Sequence, residues 1–374
     1  MEISAEIEGK YRRVREEMAR EDVDALVVSG SEYTGFDGAV TYMSGFNIVH
    51  RYAYVLVPLE GDPAIVFPSE ARYVGFHDAA WVDERVFVDT PGAWLRDRCA
   101  GAARVGVYGL DYVMNVRDYS ALAEGDFEIV SFDEAFDRTR AVKSSAEMES
   151  VREAVSINEE GFWEVLRAYE PGKTEAEIMA PAAARFVELG TGRHAMNMVL
   201  ADGPPGGARP EFVIPSETRR VAPDDLLLYS LEIGGPSGHW AEVSRPIMAG
   251  APSSVTAAMM EAYVEYGEIA RRVMKDGSTA HDVHMAVSKP FRDRGYGLGH
   301  VTGHSIGMTM IEHPRVGEGN ETVLRENMVF SMHPHVIAED GSCLYMQETW
   351  RIGKDAGEQL SSLPLKIFDG SELR

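Results

Sequence analysis

The sequence predicts an α+β protein in two parts: a small α/β domain over residues 1–140, and a larger domain over 141–374 in which helices cover a mostly antiparallel sheet. Three observations predict it. Strand-like and helical runs alternate through the first part. The character of the chain changes between 138 and 150, where Arg138-Thr139-Arg140-Ala141-Val142-Lys143-Ser144-Ser145 leads into a long helical pattern. Beyond that point long helices are interleaved with apolar strands that carry acids and histidines.

In the first part, Ile7, Tyr11, Val14 and Met18 recur at helical spacing, so 6–22 reads as an amphipathic helix. Strand-like runs follow at Ala25–Ser29, Tyr52–Pro58, Ala64–Phe67, Val86–Val88 and Val105–Tyr108, with a hairpin-type turn at Gly61-Asp62-Pro63. No glycine-rich phosphate loop follows any of them, so a nucleotide site is not indicated. In the second part a helix is expected over 146–170, capped by Ser145, with Glu147 and Glu149 suiting the positive end of its dipole. Pro171-Gly172 ends it. Further helices are expected over 174–189, 253–275 and 279–294, and strands at Met196–Leu200, Leu226–Gly234, His239–Ile247, Met328–Met332 and Thr349–Ile352.

Composition removes whole classes of function. The hydrophobic share of 45% and charged share of 26% are those of a globular protein, and 374 residues suffice for two domains. No apolar run approaches the roughly 18–20 residues that span a bilayer, and the charged N-terminus lacks the apolar core of a signal peptide. Cys99 and Cys343 lie far apart and outside any CxxC pattern, which argues against a disulfide or a zinc finger and fits a reducing cytoplasm. Sixty acidic against 36 basic residues give a net charge of −24, a field that repels phosphate backbones and anionic membranes. The expected partner is a small-molecule substrate, not nucleic acid or membrane.

Four segments hold polar residues where a strand should be apolar. The run Leu226–Gly234 contains Glu232, and His239-Trp240-Ala241-Glu242 brings a second acid ten residues on. A carboxylate inside an apolar strand is costly to bury unless paired or bound. A hairpin would set these two side by side, where one is protonated or a cation sits between them. The third segment is Gly303-His304-Ser305-Ile306-Gly307, followed by Glu312-His313-Pro314. The fourth is Ser331-Met332-His333-Pro334-His335, followed by Met346-Gln347-Glu348-Thr349-Trp350. Bland alternatives exist. Glu232 could pair with Arg245 as a structural salt bridge, and His239 and His313 could be solvent-facing or supporting residues.

The order of these segments resembles the pita-bread fold of family M24, shared by methionine aminopeptidase, proline dipeptidase, aminopeptidase P and creatinase. Residues 1–140, including Tyr42-Met43-Ser44-Gly45-Phe46, resemble the N-terminal domain of the creatinase and prolidase branch. Arg140 through Glu147 resembles its linker into the pita-bread catalytic domain. Peptidases of this family bind two metal ions through Asp, Asp, His, Glu and Glu. By resemblance Glu232 and Glu242 stand at the two Asp positions, His304 at the His, His333 at the first Glu and Glu348 at the last. Each can still ligate a divalent ion. Each Glu is a methylene longer than Asp and the Glu232–Glu242 spacing is one residue shorter than the family's, so one ion (Fe, Mn or Zn) or none is expected rather than two. Two residues depart further: Glu211, after Pro210, stands where the peptidases have a substrate-binding His, and Ile311 stands at another, beside His313.

The Gly-His-Ser-Ile-Gly stretch is more similar to creatinase, which uses no metal and relies on this His for acid–base chemistry. Ectoine hydrolase is another such relative. The first expectation is therefore a creatinase-like hydrolase cleaving a C–N bond of a small cationic non-peptide metabolite. In it His304 is base and then acid, Glu232, Glu242 and Glu348 hold substrate or an ion, His333 orients water, and Glu211 and His313 touch substrate. The alternatives are a metal-dependent Xaa-Pro dipeptidase or aminopeptidase, and a metal-dependent lyase. The resemblance also implies a homodimer in which the N-terminal domain covers a partner's pocket.

Overall fold

The computed structural model describes residues 3–73, 80–191, 195–196, 199–201, 211–299 and 301–371. The chain divides into two compact units, Met1–Arg140 and Ala141–Arg374.

The first unit runs α1 (Ile3–Arg20), β1 (Ala25–Ser31), α2 (Gly38–Ser44), β2 (Tyr52–Pro58), β3 (Ala64–Pro68), β4 (Glu84–Val88), α3 (Pro91–Arg98), β5 (Arg104–Tyr108), α4 (Val116–Leu122), β6 (Glu128–Ser131) and α5 (Asp133–Arg140). Its six strands make one mixed sheet in the order β4-β3-β2-β1-β5-β6. β1 lies at its centre, antiparallel to β2 and parallel to β5. Every residue of β1 is buried, and its first four, Ala25–Val28, are apolar, as a central strand between covered faces requires. The helix α2 is buried along its whole length, so it lacks the one-sided periodicity that marks a surface helix in sequence.

The second unit opens with α6 (Ser145–Ala168) and α7 (Glu175–Glu188). Ser144, rather than Ser145, caps α6: its hydroxyl accepts from the Glu147 N–H while the Glu147 carboxylate accepts from the Ser144 N–H. Then come β7 (Ala195–Met196), β8 (Val199–Ala201), β9 (Glu211–Val213), β10 (Glu232–Gly234), β11 (Trp240–Glu242) and β12 (Ile247–Met248). The helices α8 (Ser254–Val273) and α9 (Ala280–Asp293) follow, and then β13 (Gly297–Leu298), β14 (Gly303–Ser305), β15 (Glu312–Val316), β16 (Val329–Met332), β17 (Val336–Ile337), β18 (Cys343–Leu344), β19 (Glu348–Arg351) and β20 (Glu358–Gln359).

Several strands are shorter than expected. The run from 239 to 247 breaks after Glu242 because Ser244 exchanges backbone hydrogen bonds with Gln347 instead of continuing the hairpin. The expected strand over 196–200 is divided: β7 pairs with β10 and β8 with β9, and 197–198 lie outside the described residues. The site-forming sheet has the order β15-β14-β16-β19-β20, with β14, β16 and β19 paired antiparallel in sequence.

Helices back both sheets of this unit. Met259, Tyr263 and Tyr266 of α8 and Val287 and Phe291 of α9 form one core with Phe330, Met332 and Trp350 of the five-stranded sheet. Val155 and Phe162 of α6 and Ile178 and Phe186 of α7 form another with Ile233 and Ala241 of the β10–β11 hairpin. This is the α+β layering of the pita-bread domain, and burial of these apolar side chains is its main driving force. Among the described residues, no helix is long and apolar enough to cross a membrane.

Candidate metal site

The β10–β11 hairpin sets Glu232 directly opposite Glu242. Asn158 of α6 holds it by donating its side-chain amide to the carbonyls of both Leu231 and Ala241, at 2.9 Å each. Glu242 is further fixed through its backbone. Its N–H donates to the Thr349 hydroxyl, which in turn donates to the Glu242 carbonyl, both at 3.0 Å. The two carboxylates are buried, and among the described residues neither is ion-paired with a lysine or arginine. Burial pushes both carboxyls up, Glu242 to about 7, and the charge of Glu242 pushes Glu232 up further. The pair therefore keeps a proton at neutral pH when nothing else neutralises it.

One side chain joins them. The Gln347 amide nitrogen donates to Glu232 Oε1 and to Glu242 Oε2, 2.9 Å each, while its Oε1 accepts from the Leu231 N–H at 2.9 Å. The Ser331 hydroxyl donates to the same Glu242 oxygen at 2.6 Å. The other oxygen, Glu242 Oε1, faces His304 Nε2 at 3.7 Å.

His304 is the middle residue of β14, and its flanking glycines have separate causes. A side chain at Gly303 would collide with the Ser331 carbonyl on β16, and one at Gly307 with the Glu312 carboxylate. Nδ1 of His304 lies 3.0 Å from the Ser305 carbonyl, which can only accept, so Nδ1 carries the proton and Nε2 presents its lone pair to Glu242. Burial lowers the imidazole to about 4, so it stays neutral at physiological pH. The His333 ring lies 5.1 Å from that of His304, centroid to centroid, and Tyr345 lies 6.3 Å from His333.

Glu242, His304 and His333 are all buried, and a ligand atom from each lies within 4.8 Å of the others. A carboxylate and two imidazoles converging in this way fit one divalent ion. A second ion beside the first is a different matter, because the space between the two carboxylates is already bridged by the amide of Gln347.

Not every expected residue joins this set. Glu348 does not. Successive strand residues face opposite sides, so with Gln347 turned toward the carboxylates, Glu348 faces away. There it pairs with Arg245 and accepts from the Ser361 hydroxyl at 2.5 Å and the Ser361 N–H at 3.2 Å. Arg245 thus belongs to Glu348 and not to Glu232. Its remaining donors go to the carbonyls of Ser244, Gln347, Leu363 and Pro364. Glu211 is exposed on β9, and the next residue, Phe212, is the one that packs on Tyr345, at 4.9 Å. The preceding Pro210 lies outside the described residues. His313 is an exposed residue of β15, whose burial alternates so that its neighbour Glu312 faces inward to Lys143 at 3.0 Å. His239 is buried, with Nδ1 3.4 Å from the Ser237 hydroxyl.

Gln347 and Ser331 are the residues that the sequence expectation missed. The signal for Gln347 was present: in a period-two strand only one of Gln347 and Glu348 can face the hairpin, and Arg245 needs an acid.

Comparison with known proteins matches both parts of the chain to family models. Residues 149–356 match the profile of metallopeptidase family M24, and 10–142 that of the creatinase/prolidase N-terminal domain. The chain is 24% identical to a Xaa-Pro dipeptidase of Pyrococcus furiosus over 64% of its length and 69% of the relative's. It is 27% identical to a probable dipeptidase PepE of Mycobacterium tuberculosis over 81% of each. Among solved structures, dipeptidase PepE from Mycobacterium ulcerans superposes with a TM-score of 0.80 at 22% identity, covering 98% of this chain and 99% of that one.

Proposed function

The chain belongs to metallopeptidase family M24, and from that premise we propose that it is a dipeptidase-type hydrolase, cleaving the amide bond of a small peptide-like substrate at one divalent ion held by Glu242, His304 and His333. The observation that carries this reading is the convergence of those three buried groups, with the lone pair of His304 Nε2 aimed into the set. The dipeptidase names of the relatives support the choice of substrate class.

A divalent ion at this position supplies a polarised carbonyl and a more acidic water. The chain's own groups do the rest. Burial and the charge of Glu242 raise the proton affinity of Glu232, which stands beside the three ligands, so it accepts a proton from attacking water and can return it to the leaving nitrogen. Gln347 and Ser331 hold the two carboxylates in one orientation while this happens. Tyr345, with Phe212 against it, forms an apolar flank suited to a side chain of the substrate.

This replaces the creatinase-like expectation for a physical reason. That reading makes His304 the base and then the acid at neutral pH. An imidazole lowered to about 4, with Nδ1–H committed to a backbone carbonyl, is too weak a base for the task and is well suited to ligation.

The test is a substrate panel run on chelator-stripped protein, with and without added Mn2+, Co2+ or Zn2+. Dipeptides, Xaa-Pro among them, should be hydrolysed only after metal is restored, and His304→Ala should lower kcat/KM by on the order of 10^3. Turnover of a guanidine or amidine by stripped protein, undiminished by chelator, would overturn the proposal. So would an unsaturated product formed without consumption of water.

A further inference from the structure

We propose that Gln347 occupies the place of a second cation and thereby makes this a single-ion site in a family built for two. The inference rests on the one-ion reading above and adds to it the residue that sets the count. The geometry leaves little freedom. The Gln347 amide nitrogen lies 2.9 Å from Glu232 Oε1 and 2.9 Å from Glu242 Oε2, so its two hydrogens are both spent on the carboxylates that face each other across the hairpin.

An amide nitrogen has no lone pair to give a metal ion, so ligation by Gln347 would require its oxygen. That requires a half-turn of the amide, and the turn is blocked on the far side. Gln347 Oε1 accepts from the Leu231 N–H at 2.9 Å, and after a flip two donors would face each other in a buried site. The amide is thus keyed to one orientation by the backbone of the strand that leads into Glu232. Its two N–H groups fill the position between the carboxylates, at a fixed place and without exchange, but leave their charge unneutralised.

The division of labour between the Glu242 oxygens follows. Oε2 is saturated by Gln347 and Ser331, and Oε1 is left for the ion shared with His304 and His333. Glu232, bonded through Gln347, stands outside the ion's ligands and keeps its carboxyl for proton transfer. Replacing the amide with a carboxylate should open the second position, because Gln347→Glu removes the donor and adds the ligand in one step.

The experiment is a Co2+ titration of chelator-stripped protein followed by visible absorbance and calorimetry, together with Mn2+ EPR. Wild type should take up one equivalent and give the spectrum of an isolated Mn2+ ion. Gln347→Glu should take up two and give the spectrum of an exchange-coupled pair. Two equivalents in the wild type, or one in a folded Gln347→Glu, overturns the inference while leaving the one-ion reading or its family basis intact. No uptake by either protein overturns the one-ion reading itself, and the inference with it. If Gln347→Glu does not fold, Glu232→Gln decides. The inference expects it to keep one equivalent with affinity within about 100-fold of wild type, since Glu232 is not a ligand, and loss of the ion or a fall much beyond 100-fold would sink it.

Discussion

Two carboxylate clusters lie back to back across the start of β19, and they have been treated differently by the fold. On one side Glu348 is matched to Arg245, and Ser361 supplies two further donors. On the other side Glu232 and Glu242 face each other with neutral partners among the described residues, including Gln347, Ser331 and Ser230, and with a neutral imidazole beyond. All three glutamates are buried. The difference is that the first cluster is complete and the second is not. Burial raises the carboxyl of Glu348 too, but the Arg245 guanidinium and the Ser361 donors offset part of that. A buried acid pair without an arginine keeps a raised proton affinity and a standing attraction for a cation, which is the electrostatic character of a working site.

The sharpest way to break that contrast is to remove one partner from each side. Arg245→Met leaves Glu348 buried without its charge partner and strips a donor from four carbonyls. It should destabilise the chelator-stripped protein by roughly 3–5 kcal/mol in urea unfolding. Glu242→Gln should do the opposite. Its amide oxygen can still accept from Ser331 and Gln347, and its amide nitrogen can donate to the His304 Nε2 lone pair. The stripped variant should therefore be at least as stable as wild type at pH 8 while losing metal uptake. Equal destabilisation by the two substitutions would mean that both clusters are structural.

A pH series sharpens the same contrast. An acid whose carboxyl is raised in the folded state, as Glu242 is to about 7, holds its proton when the unfolded chain has already released it. Below the ordinary glutamate range both states are protonated and the term vanishes. As pH climbs through that range toward 7, the unfolded state gains by ionising and the folded state does not, so stability falls, then levels off. Stripped wild type should lose on the order of 1–3 kcal/mol between pH 5 and pH 8 from this pair, and Glu242→Gln should flatten most of the slope. A saturating divalent ion should flatten it too, by binding the ionised form. A slope that survives the substitution would locate the proton elsewhere.

The sequence carried the architecture further than it carried the site. The hairpin was legible because two apolar runs ten residues apart each bore an acid, an expense that a sheet accepts only for a reason. The helices α6 to α9 were legible from their periodicity and their ends. What failed was facing. Gln347 and Glu348 are neighbours, so their strand sends them to opposite sides, and no local pattern says which side meets the hairpin. The answer depends on Arg245, more than a hundred residues away in sequence, and on the contacts that turn it toward Glu348. His304 was legible from its glycines, but the hydrogen bond that fixes its tautomer and the burial that lowers its basicity are properties of the packed sheet.

The smallest expected effect tests whether the incomplete cluster is held rigid by its neutral partners or would find the same geometry without them. Ser331 lies on β16 opposite His304 on β14, and its hydroxyl donates to Glu242 Oε2 at 2.6 Å. Ser331→Ala removes that donor and leaves Gln347 alone to orient the carboxylate. A group that only orients a ligand typically costs 10–100-fold in metal affinity when lost, and with one of two donors kept the lower end applies. Calorimetric titration should therefore give an ion about tenfold weaker, at unchanged stoichiometry and with little change in stability. An unchanged affinity would mean that Gln347 and the backbone anchors of Glu242 to Thr349 already fix the carboxylate. A loss much beyond 100-fold would mean that the Ser331 oxygen is itself a ligand, so that the ion sits closer to β16 than the Glu242–His304–His333 set implies.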